Sequence, residues 1–168
     1  MGGGPQRARR IARPTVIADA SALICLGWVE QLQILPALFG RIVVPPAVAA
    51  EATHRGPALP AWVDVRPAGR PLDDRVAAAH LGAGETEVLC LGLELEGTWL
   101  ILDDAKARAL ARQLGLRMLG TAAVLVEAKR AGLIPRVQPT LDALLAKGFR
   151  LERKVYDRIL KAAGEGPP

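Results

Sequence analysis

Acidic side chains recur in this sequence close to the points where short apolar segments end or begin. The set comprises Asp19, Glu51, Glu85 and the adjacent pair Asp103 and Asp104. Carboxylate oxygens are the ligands that hard divalent cations such as Mg²⁺ prefer. One or two bound cations can activate water and stabilise the leaving oxygen of a phosphodiester. If the fold brings these acids together, the chemistry available to them is metal-assisted hydrolysis of a phosphate ester.

The elements that would position these acids alternate regularly along the chain. Short apolar runs at 16–18, 42–44, 99–102 and 116–119 are typical of strands buried on both faces of a parallel sheet. Segments with helical periodicity lie between them. This alternation predicts an α/β fold, in which helices cover a central, mostly parallel sheet of about four strands. The acids would then share the carboxyl edge of the sheet, where open α/β sheets bind ligands.

Two regions of the predicted fold are less regular. Proline, glycine and arginine are frequent in residues 54–71, which we interpret as a surface excursion that could include a short strand at 62–65. Helices are predicted at 29–39, where Pro36 would limit or kink the helix, and at 72–81.

Asp19 has two interpretations at this point. An Asp directly before a helix commonly caps it by accepting a hydrogen bond from the backbone. The same residue, at the end of a buried strand and close to Ser21, would also lie at the ligand-binding edge of the sheet. The recurrence of acids at equivalent positions favours the second interpretation.

Helical periodicity assigns a direction to three of the acids. Glu51 lies three residues after Val48 and is predicted on the inward face of its helix, although a partly exposed helix end explains it equally well. Glu85 shares a stripe with Val88 and is predicted to face the protein, where it could simply compensate the helix dipole. Glu87 is predicted to face water.

The acidic doublet Asp103–Asp104 precedes a helix that carries several basic residues. Asp104 could pair with Arg108 one turn later, which is its simplest structural role. The apolar stripe of the helix predicts that Lys106, Arg108 and Arg112 face away from the protein. No Lys, Arg or His occupies a strand-end position that matches the acids, so a divalent cation is expected among them.

Composition narrows the class of protein further. A chain of 168 residues with 51% hydrophobic residues can bury a core as one domain, and no apolar run is long enough to cross a bilayer. Cys25 and Cys90 lie in apolar surroundings without metal-ligand spacing, which indicates reduced, buried thiols in a cytoplasmic protein. We interpret the isolated His54 and His80 as loop or surface residues.

The net charge of +5 is concentrated at the N-terminus. Four arginines and no acid lie within the first 14 residues, and without those four charges the net charge is +1. We predict residues 1–14 to be a disordered basic leader and residues 15–168 to be one domain. The alternative is a basic arm that contacts phosphates.

With these residues in view, the sequence resembles the PIN-domain nucleases from about residue 16 to residue 163. The resemblance is carried by ADASALI with Asp19 and Ser21, VPPAVAAEA with Glu51, LGAGETEVL with Glu85, and LILDDAKARALARQLG followed by LGTAAVLVEAKRAGLI. The last two stretches are similar to a prokaryotic subgroup related to VapC-like toxins. The resemblance implies a three-layer sandwich of helices around a parallel sheet.

The same resemblance implies an activity and its participants. Relatives cleave single-stranded RNA with magnesium or manganese, usually as toxins held by a small antitoxin, and homodimers are common among them. The implied metal ligands and catalytic acids are Asp19, Glu51, Glu85 and one of Asp103 and Asp104, with Ser21 and Thr121 as supporting hydroxyls. The resemblance therefore predicts a cytoplasmic, metal-dependent ribonuclease.

Two departures from the family pattern concern the acids. Many relatives have a hydroxyl residue two positions before the last acid, whereas here Leu102 precedes a doubled acid, so either Asp103 or Asp104 could take the family position. Glu85 stands where many relatives have Asp, which places its oxygens farther from the backbone.

Two other classes of protein have an acid after the first strand, but their motifs do not fit this sequence. A phosphoryl-transfer enzyme of the haloacid dehalogenase type needs a second acid where Ser21 stands, and a response-regulator receiver needs an acid pair where Asp19 is single. The remaining alternative is a non-cleaving PIN-like module that binds RNA or acts as a scaffold. The intact set of carboxylates favours the nuclease over this alternative.

Overall fold

The computed structural model of the protein describes residues 14–166. All but the last residue of the predicted basic leader lies outside this range. The disorder predicted for the leader therefore stays a prediction.

The described residues contain a five-stranded parallel sheet flanked by helices, which confirms the predicted α/β class and PIN-like architecture. The spatial order is β3-β2-β1-β4-β5, and every neighbouring pair is parallel. The strands are β1 (Val16–Ala18), β2 (Ile42–Val44), β3 (Val63–Val65), β4 (Trp99–Ile101) and β5 (Arg117–Leu119).

The sheet has one strand more than the four expected. The additional strand is β3, at the position where the sequence allowed a short strand. It lies at the sheet edge and is only partly buried, whereas β1 and β2 are buried throughout. Its apolar signal is correspondingly weak, because an edge strand has less surface to bury.

Nine helices lie in residues 14–166. They are α1 (Ala20–Trp28), α2 (Ile34–Phe39), α3 (Pro46–Arg55), α4 (Asp74–Ala78), α5 (Ala83–Glu94), α6 (Ala105–Gln113), α7 (Thr121–Arg130), α8 (Gln138–Ala146) and α9 (Arg153–Ala162).

Two predicted helices are shorter than expected, for reasons visible in the backbone. The helix predicted at 72–81 is reduced to α4, because Asp73 caps its start and His80 has a φ of 48°, which a right-handed helix does not allow. The helix predicted at 29–39 is reduced to α2, because Glu30 has a φ of 56° and ends α1 in a turn instead.

The core lies around the central strands and the inner faces of the helices. Val16, Ile17 and Leu100 are fully buried, and Gly92 allows α5 to pack closely on β4, since a Cβ there would come within 3.0 Å of Leu100. Cys25 is buried and Cys90 is partly buried, and both are free thiols. None of the helices in residues 14–166 combines the length and the apolar character that crossing a bilayer requires.

The strand order creates a switch point between β1 and β4. The chain runs outward from β1 through β2 to β3 and then returns to the other side of β1, where β4 and β5 follow. Such a reversal leaves a crevice at the carboxyl ends of the two strands that flank it. The residues that emerge there are Asp19 after β1 and Asp103 shortly after β4.

Candidate active site

Asp19 stands at the centre of the crevice and is held by two backbone donors. Its side chain is buried and accepts a hydrogen bond at Oδ1 from Ala22 N–H, at 2.9 Å, which caps α1. Its Oδ2 accepts a second hydrogen bond from Asp103 N–H, at 3.2 Å. The cap on α1 is therefore confirmed, and Asp19 also lies at the carboxyl edge of the sheet; its role in binding a ligand stays a prediction.

Asp103 is the second acid of the crevice and is oriented by Thr121. Its Oδ1 accepts a hydrogen bond from Thr121 N–H at 2.9 Å, and its Oδ2 accepts one from the Thr121 hydroxyl at 2.5 Å. Thr121 is fully buried at the start of α7. The structure thus places Thr121 in direct contact with a candidate acid, in the position predicted for a supporting hydroxyl.

The pKa values of both carboxyl groups, Asp19 and Asp103, are raised. Burial raises the pKa of the Asp19 carboxyl to about 8, and the carboxylates of Asp103 and, more weakly, Glu85 act in the same direction. Burial also raises the pKa of Asp103, although the hydrogen bonds from Thr121 and the charge of Arg108 oppose that rise. Two adjacent carboxyls with raised pKa values, one buried and one partly buried, are typical of a functional site.

Asp104, the other member of the doublet, has a different role. It is exposed, and its Oδ1 accepts a hydrogen bond from Ala107 N–H at 2.8 Å, which caps α6. Asp103, and not Asp104, therefore stands beside Asp19. The expected ion pair between Asp104 and Arg108 is not among the ion pairs of residues 14–166.

Glu85 lies at the N-terminus of α5, close enough to Asp19 to raise its pKa. Its carboxylate folds back toward Gly82, where a Cβ would come within 2.5 Å of Glu85 Oε2. The glycine therefore leaves room for this carboxylate. The helix dipole also stabilises a carboxylate at this position, so Glu85 combines a structural role in α5 with its role as a candidate site residue.

The prediction that Glu87 faces water was wrong. Glu87 is partly buried, and its Oε2 accepts a hydrogen bond from Ala47 N–H at 2.8 Å. Ala47 is in the first turn of α3, where Pro45 and Pro46 leave no side-chain cap. Glu87 thus joins α5 to α3 by supplying the missing acceptor.

Glu51 lies on an exposed face of α3. The prediction that it faces inward was wrong, because its side chain is 43% exposed and pairs with Arg55 one turn later at 3.1 Å. The carboxylate nevertheless lies near the start of α5, since a Cβ at Gly84 would be 3.7 Å from Glu51 Oε2. Ser21 is partly buried in the first turn of α1.

Arg108 is a site residue that the sequence analysis missed. It was expected to face away, but its Nη1 donates a hydrogen bond to Leu102 C=O at 2.8 Å, and its charge lowers the pKa of Asp103. Gly120 opens the space between the two, because a Cβ there would lie 3.2 Å from Asp103 Oδ1 and 3.3 Å from Arg108 Nη1. The available signal was its spacing, one helical turn after the acidic doublet.

Cys25 is buried close to Asp103 and Asp19, and it does not supply a nucleophile. Burial, followed by the charges of Asp103 and Asp19, raises the pKa of the Cys25 thiol to about 11. A thiol with a raised pKa is a poor source of thiolate. Cys25 is therefore not a candidate nucleophile, and the carboxylates remain the candidate site residues.

A metal ion would find a suitable but incomplete set of ligands. In residues 14–166 no group of three or more His, Cys, Asp or Glu side chains is arranged to hold a metal ion. Asp19 and Asp103 nevertheless offer only oxygen donors, and Mg²⁺ is commonly bound by one or two carboxylates that leave several waters in place. The donor set therefore fits a hard divalent cation, and Glu85 is a further acid close enough to act on Asp19.

The fold and this acidic crevice define an α/β protein with the site of a nuclease-like domain. A family model described as a PIN domain matches residues 15–165, nearly the whole chain. The chain therefore belongs to the PIN-domain family, whose members are generally nucleases and generally use divalent metals. No curated protein matches the sequence closely.

Proposed function

We propose that this protein is a magnesium- or manganese-dependent endonuclease that cleaves single-stranded RNA. The observation that carries the proposal is the pair of adjacent acids at the switch point of the sheet, Asp19, which is buried, and Asp103, which is partly buried. Family membership supports the general class of activity. Family membership does not specify the substrate or the metal, so RNA and magnesium or manganese are parts of this proposal.

The residues of the crevice would divide the work in the following way. Asp19 and Asp103 would hold the cation, each fixed by hydrogen bonds that leave little freedom to its carboxylate. A bound cation would supply activation of water and stabilisation of the leaving oxygen. Glu85, which acts on Asp19, and Glu51, near the start of α5, would complete the binding of the cation. Fixed ligands favour catalysis because little reorganisation is then needed during the reaction.

Arg108 adds a positive charge beside these acids. Its guanidinium donates to Leu102 C=O through one nitrogen, and the remaining donors of the fork are free to meet a phosphate oxygen. A cation was expected among the acids because no basic residue was predicted there. Arg108 supplies part of the positive charge that the acids require, and its position suits an anionic substrate.

The biological role proposed is that of a toxin in a toxin–antitoxin pair. The support for this role is the resemblance of the segments around Asp103 and Thr121 to VapC-like toxins. A small antitoxin and a second copy of the chain are the proposed partners. Co-purification of a small protein encoded by an adjacent gene would test the antitoxin, and the mass of the purified protein in solution would test the dimer.

The test of the activity uses purified protein with end-labelled single-stranded RNA. Cleavage is expected with magnesium or manganese, and its loss is expected with a chelator and in Asp19→Asn. Single-stranded DNA and duplex RNA in parallel reactions test the substrate class. Cleavage that persists in excess chelator, or equally in Asp19→Asn, would contradict the proposal.

A second candidate is a non-cleaving PIN-like module that binds RNA. The observation that favours it is the lack, in residues 14–166, of three acidic, His or Cys side chains already arranged around one point. The same assay separates the two candidates. A module would retain labelled RNA in a gel-shift experiment and leave it intact with every divalent cation tested.

A further inference from the structure

A groove of about 700 Å³ opens beside Asp103 and runs between α6 and the segment that leads into α9. It therefore begins at the candidate active site and continues away from it. Its walls are basic, with two acids against four arginines. The charged residues lining it are Asp103, Glu152, Arg108, Arg112, Arg150 and Arg158.

The arginines of this groove are not neutralised by neighbouring acids. In the part of the chain that the structure describes, none of the four lies within 4.0 Å of a carboxylate oxygen. Arg108 donates to a backbone carbonyl and acts on Asp103 without forming a direct ion pair with it. The groove therefore presents an excess of positive charge to a ligand.

A second groove on the same molecule shows the contrasting arrangement. It has about 450 Å³, lies at the amino-terminal edge of the sheet, and is lined by three arginines and three acids. Arg41 pairs with Asp64 at 3.0 Å and Arg66 pairs with Glu94 at 3.7 Å. Two of the three arginines in that groove are therefore paired with acids, and arginines and acids are equal in number there, so the second groove provides an internal control for the basic groove.

The basic groove also offers apolar and aromatic surface. Phe149 lies in its lining, partly exposed, together with Leu151, Val155 and Ile159. Positive charge that follows a backbone, combined with an aromatic ring on which a base can stack, is the usual combination for binding single-stranded nucleic acid. A small anion would contact the arginines but would leave these apolar side chains without a partner, so the lining favours a larger ligand.

We propose that this groove holds the RNA strand on one side of the scissile phosphate, a deepening that rests on the proposed function. Arg108 contacts the phosphate nearest to Asp103, and Arg112, Arg150 and Arg158 contact phosphates farther along the strand. Phe149 stacks on a base of the same arm. The strand therefore leaves the active site over α6 and α9.

The first test removes two charges remote from the acids. In Arg150→Gln/Arg158→Gln, binding of a short fluorescein-labelled oligouridine is measured in chelator, where cleavage does not interfere. The affinity should fall, and the slope of log affinity against log salt should decrease by about 1.4, since each single-strand phosphate contact contributes about 0.7. The matched control is Arg66→Gln/Arg70→Gln, which removes two charges from the second groove and should leave both quantities unchanged.

The second test separates stacking from charge. Phe149→Leu keeps an apolar side chain and removes the flat ring. Stacking on an aromatic residue is worth about 1–3 kcal/mol per base, so the affinity should fall about 5- to 150-fold while the salt slope stays the same. Thermal melts of all variants establish that each is folded before binding is compared.

The outcomes distinguish this inference from the function on which it rests. If the arginine variant binds like the parent while metal-dependent cleavage is present, the groove assignment is overturned and the nuclease stands. If RNA binds through the groove and is never cut, the nuclease fails and the groove stands. Poly-glutamate as a competitor tests an acidic polypeptide as occupant: competition equal to that of oligouridine, unaffected by Phe149→Leu, would overturn the assignment to RNA.

Discussion

Asp103 donates its backbone N–H to Asp19 Oδ2 at 3.2 Å, so the ends of two adjacent strands hold one another at the switch point of the sheet. One consequence is that the two carboxyl groups are brought together by the backbone itself. A second is that Asp19 has a structural and a chemical role at once, because its other oxygen caps α1. Substitutions at these two residues therefore affect stability and activity by separable routes.

The first prediction separates the members of the acidic doublet. Asp103→Asn should lower RNA cleavage by more than the roughly 10- to 100-fold that loss of an outer-shell partner costs, because Asp103 stands beside Asp19. Asp104→Asn should retain activity within about threefold, since Asn caps α6 about as well as Asp. Initial cleavage rates at equal protein concentration measure the difference, and equal losses would place the metal site elsewhere.

The second prediction concerns the stability of the metal-free protein against pH. The pKa of Asp19 is raised to about 8 from its ordinary value of 3.8, so the folded state binds more protons than the unfolded state between these values. The stability that this group contributes is present below about pH 4 and is lost as the pH rises through about 8. In chelator the parent should therefore lose up to about 1.4 kcal/mol of stability per pH unit in this window.

Asp19→Asn tests this linkage directly. The amide cannot ionise, so the variant should lack this pH-dependent loss, although it also loses one acceptor, worth about 1 kcal/mol. Its melting temperature should fall slightly below that of the parent near about pH 4 and exceed it near about pH 9. Asp104→Asn is the matched control and should follow the parent. A constant difference between the two curves would show that the charge on Asp19 is not the cause.

Magnesium extends the same experiment. A ligand that binds only the folded state raises the melting temperature. Added magnesium should therefore stabilise the parent, and should stabilise Asp19→Asn less. An identical response of the two proteins would argue against Asp19 as a ligand.

The third prediction contrasts Glu85 with Glu87, two acids in the first half of α5. Glu85→Gln should lower cleavage and leave the melting temperature near that of the parent. Glu87→Gln should retain cleavage, because its amide oxygen can still accept from Ala47 N–H. Glu87→Ala should cost about 0.5–2 kcal/mol of stability, as loss of a helix cap does, while keeping its activity well below the melting temperature. Equal losses of cleavage in both Gln variants would show that Glu87 also takes part in the reaction.

The sequence was sufficient to locate the carboxyl edge of the sheet, and the physical reason is clear. Continuous apolar runs mark strands buried on both faces, and parallel strands all end at one edge, so Asp19 and Asp103 could be predicted as neighbours. The role of Thr121 came from the family resemblance, and the structure adds its contact with Asp103. These predictions depend on the parallel topology of the sheet. The alternation of strands and helices along the chain is sufficient to predict that topology.

The directions of individual side chains were less accessible. α5 is apolar nearly all round, so its periodicity could not reveal that α3 begins beside Glu87 and lacks an acceptor there. The direction of Arg108 depends on a carbonyl left accessible at Leu102 and on the space that Gly120 leaves. Both contacts join segments that are brought together only in the tertiary fold, and helical periodicity within one element does not contain them.

The fourth prediction concerns the C-terminal segment that forms one wall of the basic groove. Glu165 is nearly buried and accepts hydrogen bonds from Lys129 Nζ, Val137 N–H and Gln138 N–H, so it ties the end of the chain to α7 and α8. Burial works to raise its pKa, but these hydrogen bonds and the charge of Lys129 outweigh burial and hold the pKa at about 2. The ordinary pKa of a Glu carboxyl is 4.5, so the stability that Glu165 contributes is present above about pH 4.5 and is lost as the pH falls toward about 2.

Glu165→Gln should therefore destabilise the protein at neutral pH by roughly 1–3 kcal/mol, the range for weakening hydrogen bonds to a buried charged group. The difference from the parent should shrink as the pH falls from about 4.5 toward about 2, because the parent carboxylate is then protonated as well. The matched control is Glu127→Gln, which breaks the exposed pair with Arg130 and should change stability by no more than about 1 kcal/mol at any pH. Urea denaturation of the three proteins across this pH range measures these free energies of unfolding. If Glu165→Gln matched Glu127→Gln at neutral pH, Glu165 would not be the anchor of the C-terminal segment, and the wall of the groove would have to be held by the apolar contacts of α9 alone.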